Sequence, residues 1–224
     1  MEDGRRMSHI GILEAMPRFF QRMQDDGFYV KGNKSMKTIC FLTRCHPARP
    51  NMQKICLDSV KAQTCDDYQH FLIQGAMREE NDGTLAMECG LKKSWPIDAR
   101  YVMVLDDDNV LVCQDFVKEF KELTQKENPD IVIFRGEIGG YGPCPPGVLW
   151  GRPPVHCGID WFCYAVKREM WDKHSQVIGS DPTIHNDFLF IHTCFNDTKS
   201  VVWFDRIIAK TQRMPMKGRG ENEI

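Results

Sequence analysis

Tyr101-Val102-Met103-Val104-Leu105-Asp106-Asp107-Asp108-Asn109 runs five apolar residues straight into three aspartates. An unbroken apolar run of this length suits a strand buried on both faces; a half-exposed strand or an amphipathic helix would interrupt it with polar residues. A strand covered on both sides belongs to a mainly parallel sheet between helical layers. In such a sheet, ligands bind beyond the carboxyl ends of the strands. The three carboxylates stand at that end.

Outward from this stretch, the same alternation continues. Residues 38–43 (Thr-Ile-Cys-Phe-Leu-Thr) and residues 70–73 (His-Phe-Leu-Ile) read as two earlier strands. Between them Met52, Ile55, Cys56 and Ser59 follow i, i+3, i+4, i+7 spacing, the inner face of a helix. Residues 79–83 form a polar turn, and residues 85–93 a further helix closed by Trp95-Pro96. After the aspartates, Phe116, Phe120 and Leu123 mark a helix that Asn128-Pro129 stops. Residues 131–134 (Ile-Val-Ile-Phe) are a fourth strand. Residues 139–154 hold five glycines and five prolines in sixteen positions, too many for a helix or a central strand, and read as a binding loop or lid. Beyond it come a strand over 159–165, helices over 166–173 and 187–195, and a last strand over 201–209. Strands alternating with helices predict an α/β fold of one domain, a mainly parallel central sheet with helices on both faces.

The ends differ from this core. In residues 1–36, Ile10, Leu13, Met16, Phe20 and Met23 recur near helical spacing, before Asp25-Asp26-Gly27 and a linker over 31–35. Such a helix either covers the domain or makes peripheral contact with a membrane or partner. Residues 214–224 read as a flexible tail.

Bulk properties exclude several classes. With 224 residues, 42% apolar and 27% charged, the chain has room for one globular domain. A formal net charge of -2 supplies no global field for nucleic acid. No run reaches the roughly 18 apolar residues of a membrane span, and the first residues lack a signal peptide's apolar stretch, so no transmembrane segment and a cytoplasmic setting are expected. Ten cysteines are present without Cys-x-x-Cys spacing. Reduced, mostly structural thiols are the expectation.

Three places carry chemistry. While the chain stays extended, Asp106 and Asp108 project to one side and Asp107 to the other. Two carboxylates at a strand's end suit a hard cation, Mg²⁺ or Mn²⁺, which would relieve repulsion among three adjacent anions; a solvated acidic turn explains the same residues. Asp187 opens a helix, where an aspartate either caps backbone N–H groups or serves as a base. Asp160-Trp161 pairs a carboxylate with an aromatic face, a combination that suits a sugar and equally a buried tryptophan beside a turn. Trp150, in the Gly/Pro loop, is the candidate lid residue. His156-Cys157 offers two metal ligands, with no second such pair nearby in the sequence.

The stretch from Thr38 to Asp108 resembles the nucleotide-binding half of a family 2 glycosyltransferase of GT-A, Rossmann-like fold. The matching residues are Thr43-Arg44 after the first strand, then Ser59-Val60-Lys61-Ala62-Gln63-Thr64 against an S-x-x-x-Q-T pattern. Ala86-Met87-Glu88-Cys89-Gly90 stands against A-x-N-x-G, and Leu105-Asp106-Asp107-Asp108 against the strand ending in Asp-x-Asp. Gly158-Ile159-Asp160-Trp161 and Val166-Lys167-Arg168-Glu169 resemble the acceptor-side segment, so the likeness spans about residues 37–213. It implies a donor half over 37–112 and an acceptor half over 130–213.

What the resemblance implies is a nucleoside-diphosphate sugar donor, a hydroxyl acceptor such as a glycan or lipid carrier, and Mn²⁺ or Mg²⁺ on Asp108, with Asp106 toward the ribose. Thr43, Arg44, Gln74 and Asp107 would border the nucleotide; Trp150, Asp160, Trp161 and His185 the acceptor. Asp187 would be the base of an inverting displacement, with His185 as its substitute. Asn186 replaces the family's usual Glu, no aspartate follows the second strand, and Lys210-Thr211-Gln212-Arg213 stands where some relatives carry a metal-binding histidine. Two other readings stand beside this one. A nucleotidyltransferase would want a glycine-rich loop after the first strand, and Arg44-Cys45-His46-Pro47-Ala48-Arg49 has no glycine. A degenerate fold retained as a binding module is the non-catalytic alternative.

Overall fold

The structure is a computed structural model that describes residues 36–74, 90–91, 95–180 and 185–212. Strand β1 (Lys37–Cys45), helix α1 (Pro50–Lys61) and strand β2 (Tyr68–Gln74) come first. Strand β3 (Ala99–Val104) leads through the aspartates into β4 (Asn109–Leu111), helix α2 (Phe116–Glu127) and strand β5 (Ile131–Ile138). The remainder is β6 (Gly142–Cys144), β7 (Tyr164–Lys167), α3 (Arg168–His174), α4 (Asn186–Asp197) and β8 (Val201–Thr211).

The strands form one sheet in the order β2-β1-β3-β7-β5-β8-β4, with β6 beside β5. The long ladders β1–β2, β1–β3 and β5–β8 are parallel; the antiparallel pairings of β7, β6 and β4 involve only two or three residues each. The sheet therefore stays mainly parallel, as the apolar runs predict. It also curls. Val104 to Asn109 reaches at most about 18 Å, while four strand spacings of about 4.8 Å on a flat sheet would separate β3 from β4 by about 19 Å. Because the connection contains a turn, with Asn109 N–H donating to the Asp106 carbonyl at 2.9 Å, the far edge must bend back toward β3.

Pairing parity assigns the helices to faces. Ile39, Phe41 and Thr43 share a side with Tyr101 and Met103. On that side Phe116 and Phe120 of α2 pack against Phe41, Tyr101 and Phe134 at ring separations of 5.2–6.3 Å. Helix α1 covers the same side through Met52, Cys56 and Val60, all buried. The opposite side carries Tyr164, against which Phe190 of α4 stacks; Trp171 of α3 meets the same phenylalanine at 5.1 Å. Each fully buried aromatic here contributes roughly 1.5–3 kcal/mol.

The Ser59-to-Thr64 stretch turns out to be a brace. Ser59 Oγ accepts from Leu111 N at 3.1 Å, and Gln63 bonds both Cys113 O (2.9 Å) and Val117 N (3.1 Å). Thr64 Oγ1 donates to Asp115 at 2.6 Å. These bonds fasten the end of α1 to the segment between β4 and α2. Gly90 is required by contact: a Cβ there would sit 2.4 Å from Ile73 Cγ2.

Several expectations need correction. Ile55 is 50% exposed, because the buried row of α1 runs at i, i+4, i+8 from Met52 and leaves Ile55 off it. Residues 161–163 form a 3-10 turn, not strand, and Val166 belongs to β7, not to the helix after it. The Gly/Pro stretch contains strand β6, an edge position that tolerates Pro143, and a cis peptide at Cys144-Pro145. Nine cysteines are free thiols among the described residues. The helix expected over 85–93 lies mostly outside the described residues, as do the turn over 79–83, the amphipathic helix in 1–36 and the tail 214–224. Among the described residues no helix is long and apolar enough to cross a membrane.

Candidate active site

The parity that assigns the helices also sorts the candidate side chains. Thr43 lies on the α1 side, fully buried, with Oγ1 2.8 Å from His70 Nε2 on the neighbouring strand. It is a core contact and does not line the cleft. Burial and the Lys61 charge push the His70 ring down to about 4, so it stays neutral at physiological pH. Arg44, one residue on, points the other way. Its Nε donates to Asp106 Oδ1 at 2.6 Å and its Nη2 to Asp106 Oδ2, a fork-to-fork pair. The same guanidinium lies 5.8 Å from the Trp161 ring centroid.

The three aspartates do not stay extended. They occupy a turn, and this turn separates their roles. Asp107 is 2% exposed; its Oδ2 accepts from His46 N–H and its Oδ1 lies 3.6 Å from Arg49 Nη1. It pins the β1–α1 loop to the turn and does not face the cleft as a nucleotide contact. Burial pushes its carboxyl up to about 7. Asp108 is part-exposed: Oδ2 accepts from Arg49 Nη1 at 2.9 Å and Oδ1 from Asn109 Nδ2 at 3.2 Å. Burial and the neighbouring Asp106 charge raise its affinity for a proton. Arg49 is the N-cap residue of α1 and makes no side-chain cap bond, while Pro50 at the first helical position needs no donor partner, so the guanidinium can reach Asp108. Two arginines thus partly relieve the repulsion among the aspartates, in addition to any cation or solvent.

Antiparallel pairing of β7 with β3 brings the segment before β7 to the same end. Asp160 stands there, just ahead of the 3-10 turn. Burial, then the charges of Asp187, Asp106 and Asp108, push its carboxyl up to about 7. Trp161 is 3% exposed and packs on Phe190 and Tyr164, so its free surface serves Arg44 and leaves none for a sugar. Asp187 enters as the second residue of α4, whose N-cap is His185. Its Oδ1 accepts from Phe188 N–H at 2.7 Å, and Tyr164 Oη donates to its carbonyl at 2.9 Å. Burial raises the Asp187 carboxyl above the ordinary range, against the lowering pull of Phe188 N–H, His185 and Arg44. Asn186, where a Glu was expected, accepts from Gly179 N–H and holds the preceding turn.

The structure therefore brings Asp106, Asp108, Asp160 and Asp187 into one electrostatic neighbourhood, with Asp107 buried beneath. Two guanidiniums, those of Arg44 and Arg49, offset part of this negative charge. Asn109 Oδ1, buried beside Asp108, accepts no hydrogen bond among the described residues. This all-oxygen, net-negative set fits a hard divalent cation. Among the described residues no three acidic groups close into a complete ligand cage. An ion here would take one or two carboxylates from the protein and complete its shell with phosphate and water, the habit of Mg²⁺.

Other candidates lie elsewhere. Trp150 is clamped between the Arg135 guanidinium, 4.1 Å from its ring centroid, and Trp203 at 5.0 Å, so it is packed onto β5 and β8 and is no free lid. His185 turns its ring toward His156, 4.8 Å away. The backbone of Gln74 pairs with Cys45 at the end of β2, and its side chain lies outside the described residues. Lys210 is exposed at the end of β8, and Gln212 closes the site from behind, donating to Asp108 O (2.7 Å), Met52 O (2.9 Å) and Asp107 O (3.2 Å). Arg49, Asn109 and Gln212 escaped the sequence reading. Two arginines in the short loop opposite an acidic run were the available signal for Arg49; nothing local marks Gln212. A cavity of about 560 Å³ lies at the opposite end of β3 and β7, beside Arg100 and Lys167, away from the carboxylates. Its charges are largely paired, Lys167 with Asp130 at 3.0 Å and Lys173 with Asp197 at 2.6 Å. The carboxylate cluster around Asp106 and Asp108 is the candidate site.

No protein-family model matches the sequence, and no curated protein matches it. Solved structures do. Residues 1–349 of TarS from S. aureus align with a TM-score of 0.58 at 9% identity, over 78% of this chain and 60% of that one. The same protein in complex with UDP-GlcNAc aligns at 0.59 with 10% identity, over 81% and 60%. Its complex with UDP aligns at 0.57 with 9% identity, over 80% and 61%. This chain thus spans about 60% of the length of those neighbours. At such identity the likeness concerns the fold, and the fold is GT-A-like.

Proposed function

We propose that the chain is a glycosyltransferase that moves a hexosyl group, with inversion, from a nucleoside-diphosphate sugar to a hydroxyl acceptor, aided by Mn²⁺ or Mg²⁺. The observation that carries this reading is the convergence of Asp106, Asp108, Asp160 and Asp187 at the carboxyl ends of the strands. The TarS structures that hold UDP-GlcNAc and UDP share this fold, which supports a donor of that class.

In this reading residues 37–112 hold the donor and residues 130–213 the acceptor, with 1–36 and 214–224 as appendages. A divalent cation, when bound, would compensate charge on the departing diphosphate. Asp108 would hold it, and Asp106, fixed by Arg44, would border the ribose and share in the metal shell. Asp187 takes the acceptor hydroxyl's proton, a task suited to a carboxylate partly withdrawn from water. Asp160 lines the acceptor side. A cytoplasmic setting fits the nine free thiols among the described residues. The family 2 assignment rests on the matching motifs alone.

One observation favours the non-catalytic alternative, a GT-A-like binding module. Arg44 and Arg49 already neutralise Asp106 and Asp108 within the protein. The two readings separate in one experiment. A panel of UDP-, GDP- and dTDP-sugars is screened with Mn²⁺ for thermal stabilisation, followed by assay of nucleotide release. At 100-fold excess over Kd a ligand adds about 2.7 kcal/mol, a shift of several degrees. Stabilisation with nucleotide release supports the transferase; stabilisation without release supports the module. No stabilisation by any donor removes both.

A further inference from the structure

We propose that His156, Cys157 and His185 form a binding site for a borderline divalent cation of the zinc class, separate from the hard-oxygen cleft. The three residues come from two segments 28 positions apart, and their ligand atoms all lie within 4.8 Å of one another. Sequence spacing showed only the pair; the fold supplies the second histidine.

The local backbone explains how the pair is presented. Val155 to Gly158 make a turn closed by Gly158 N–H donating to Val155 O at 3.0 Å. Cys157 occupies its second corner at φ +61°, a left-handed position that glycine usually fills and that costs another residue about 1 kcal/mol. Glycine follows at 158 instead, where a Cβ would sit 2.6 Å from Leu149 Cδ1 and 2.7 Å from Val155 Cγ2. The turn is thus held from beneath while its two corner side chains face solvent. The His156 ring meets the His185 ring at 4.8 Å and Phe188 at 5.5 Å. His185 N–H lies 3.4 Å from His156 Nε2, a contact too long to tie the ring down strongly.

Two imidazoles and a thiolate, formed as Cys157 releases its proton to solvent on metal binding, are ligands for Zn²⁺ and its relatives, whereas the aspartate cluster offers oxygen only. A tetrahedral zinc separates such ligand atoms by about 3.3–3.7 Å, given metal distances of about 2.0–2.3 Å. The exposed side chains need to close by about 1 Å. Three protein ligands leave a fourth position for water or another donor. Occupancy would tie the 155–158 turn to the residue that begins α4, the helix carrying Asp187. The inference stands whether or not the chain is a transferase.

Co²⁺ titration of the chelator-treated full chain tests it. One equivalent of Co²⁺ is expected to produce visible d–d bands together with a near-ultraviolet thiolate-to-cobalt band, both removed by Zn²⁺. Cys157→Ser should abolish the thiolate band, while His156→Gln and His185→Gln should each weaken binding more than about 10-fold, since even an outer partner of a ligand is worth that much. Asp108→Asn should leave the bands unchanged. A wild-type chain without a thiolate band, or a band that survives in Cys157→Ser, overturns the proposal. All three positions are exposed, so melting curves of the variants should match wild type without metal.

Discussion

Arg44 grips Asp106 by both carboxylate oxygens, with Nε 2.6 Å from Oδ1, while its guanidinium lies 5.8 Å from the Trp161 ring centroid. One side chain thus joins the end of β1, the acidic turn and the segment before β7. Removing it leaves Asp106 facing Asp108, Asp160 and Asp187 without its main countercharge. Arg44→Ala is expected to destabilise by about 2 kcal/mol, between the values for surface and fully buried pairs. Arg44→Lys should recover only part, because an ammonium cannot reproduce the fork. The double variant with Asp106→Asn should be more stable than Arg44→Ala alone, as read from denaturant midpoints. A loss below about 0.5 kcal/mol in Arg44→Ala would mean the pair does not organise the site.

Asp160 gives the fold a pH signature. Its carboxyl is pushed up to about 7 by burial and by Asp187, Asp106 and Asp108, with Trp161 N–H as the opposing hydrogen bond. A raised carboxyl pKa means the folded state holds a proton that the unfolded state, near 3.8, has released. The stabilising contribution is full below about pH 4 and disappears as pH rises through about 7. Asp160→Asn, which keeps the neutral shape, should be more stable than wild type above pH 7 by about 2 kcal/mol after allowance for partial exposure. The gain should vanish near pH 4. Urea midpoints across that range provide the check; equal pH slopes in the two proteins would contradict it.

Gly136 in β5 tests the packing beneath the site. A Cβ there would fall 1.9 Å from Phe162 Cε2, inside a fully buried ring adjoining Trp161. Gly136→Ala should cost about 1–3 kcal/mol through displaced packing, seen as a lower melting temperature. A neutral result would show that the ring moves freely.

Asp187 should separate binding from chemistry. In Asp187→Asn, donor affinity is expected to stay within about 3-fold of wild type while nucleotide release falls at least about 100-fold, the usual value of a general base. If binding and release fall together, Asp187 acts through the structure of the α4 start and not on a proton.

Much of the fold could be read from residues such as Ile39 to Leu42 and Tyr101 to Leu105, because unbroken apolar runs have few alternatives to a doubly covered strand. The curl of the sheet, the edge strands β4 and β6 and the 3-10 turn at Trp161 were not legible: short pairings depend on partners distant in sequence. At the site, strand ends and motif order single out Asp106, Asp108, Asp160 and Asp187, and the fold places their charges near one another. The burial of Thr43 and Asp107 was not legible: a one-residue step in parity decides which side of the sheet Thr43 meets, and Asp107 sits in a turn whose partners His46 and Arg49 lie about 60 residues away. Trp150 was mistaken for a lid because its partners, Arg135 and Trp203, come from strands β5 and β8. Arg49 was missed because its partner Asp108 lies 59 residues away.

The central claim is that the carboxylate cleft binds a nucleoside diphosphate through a divalent cation held by Asp108. Calorimetric titration of the full chain with UDP, GDP and dTDP, each with and without Mn²⁺, measures this directly. At least one nucleotide should bind at least about 10-fold more tightly with Mn²⁺, a coupling of about 1.4 kcal/mol. Asp108→Asn should lose that increment while keeping its fold. If no nucleotide binds, or if Asp108→Asn binds with the same Mn²⁺ dependence as wild type, the claim is wrong.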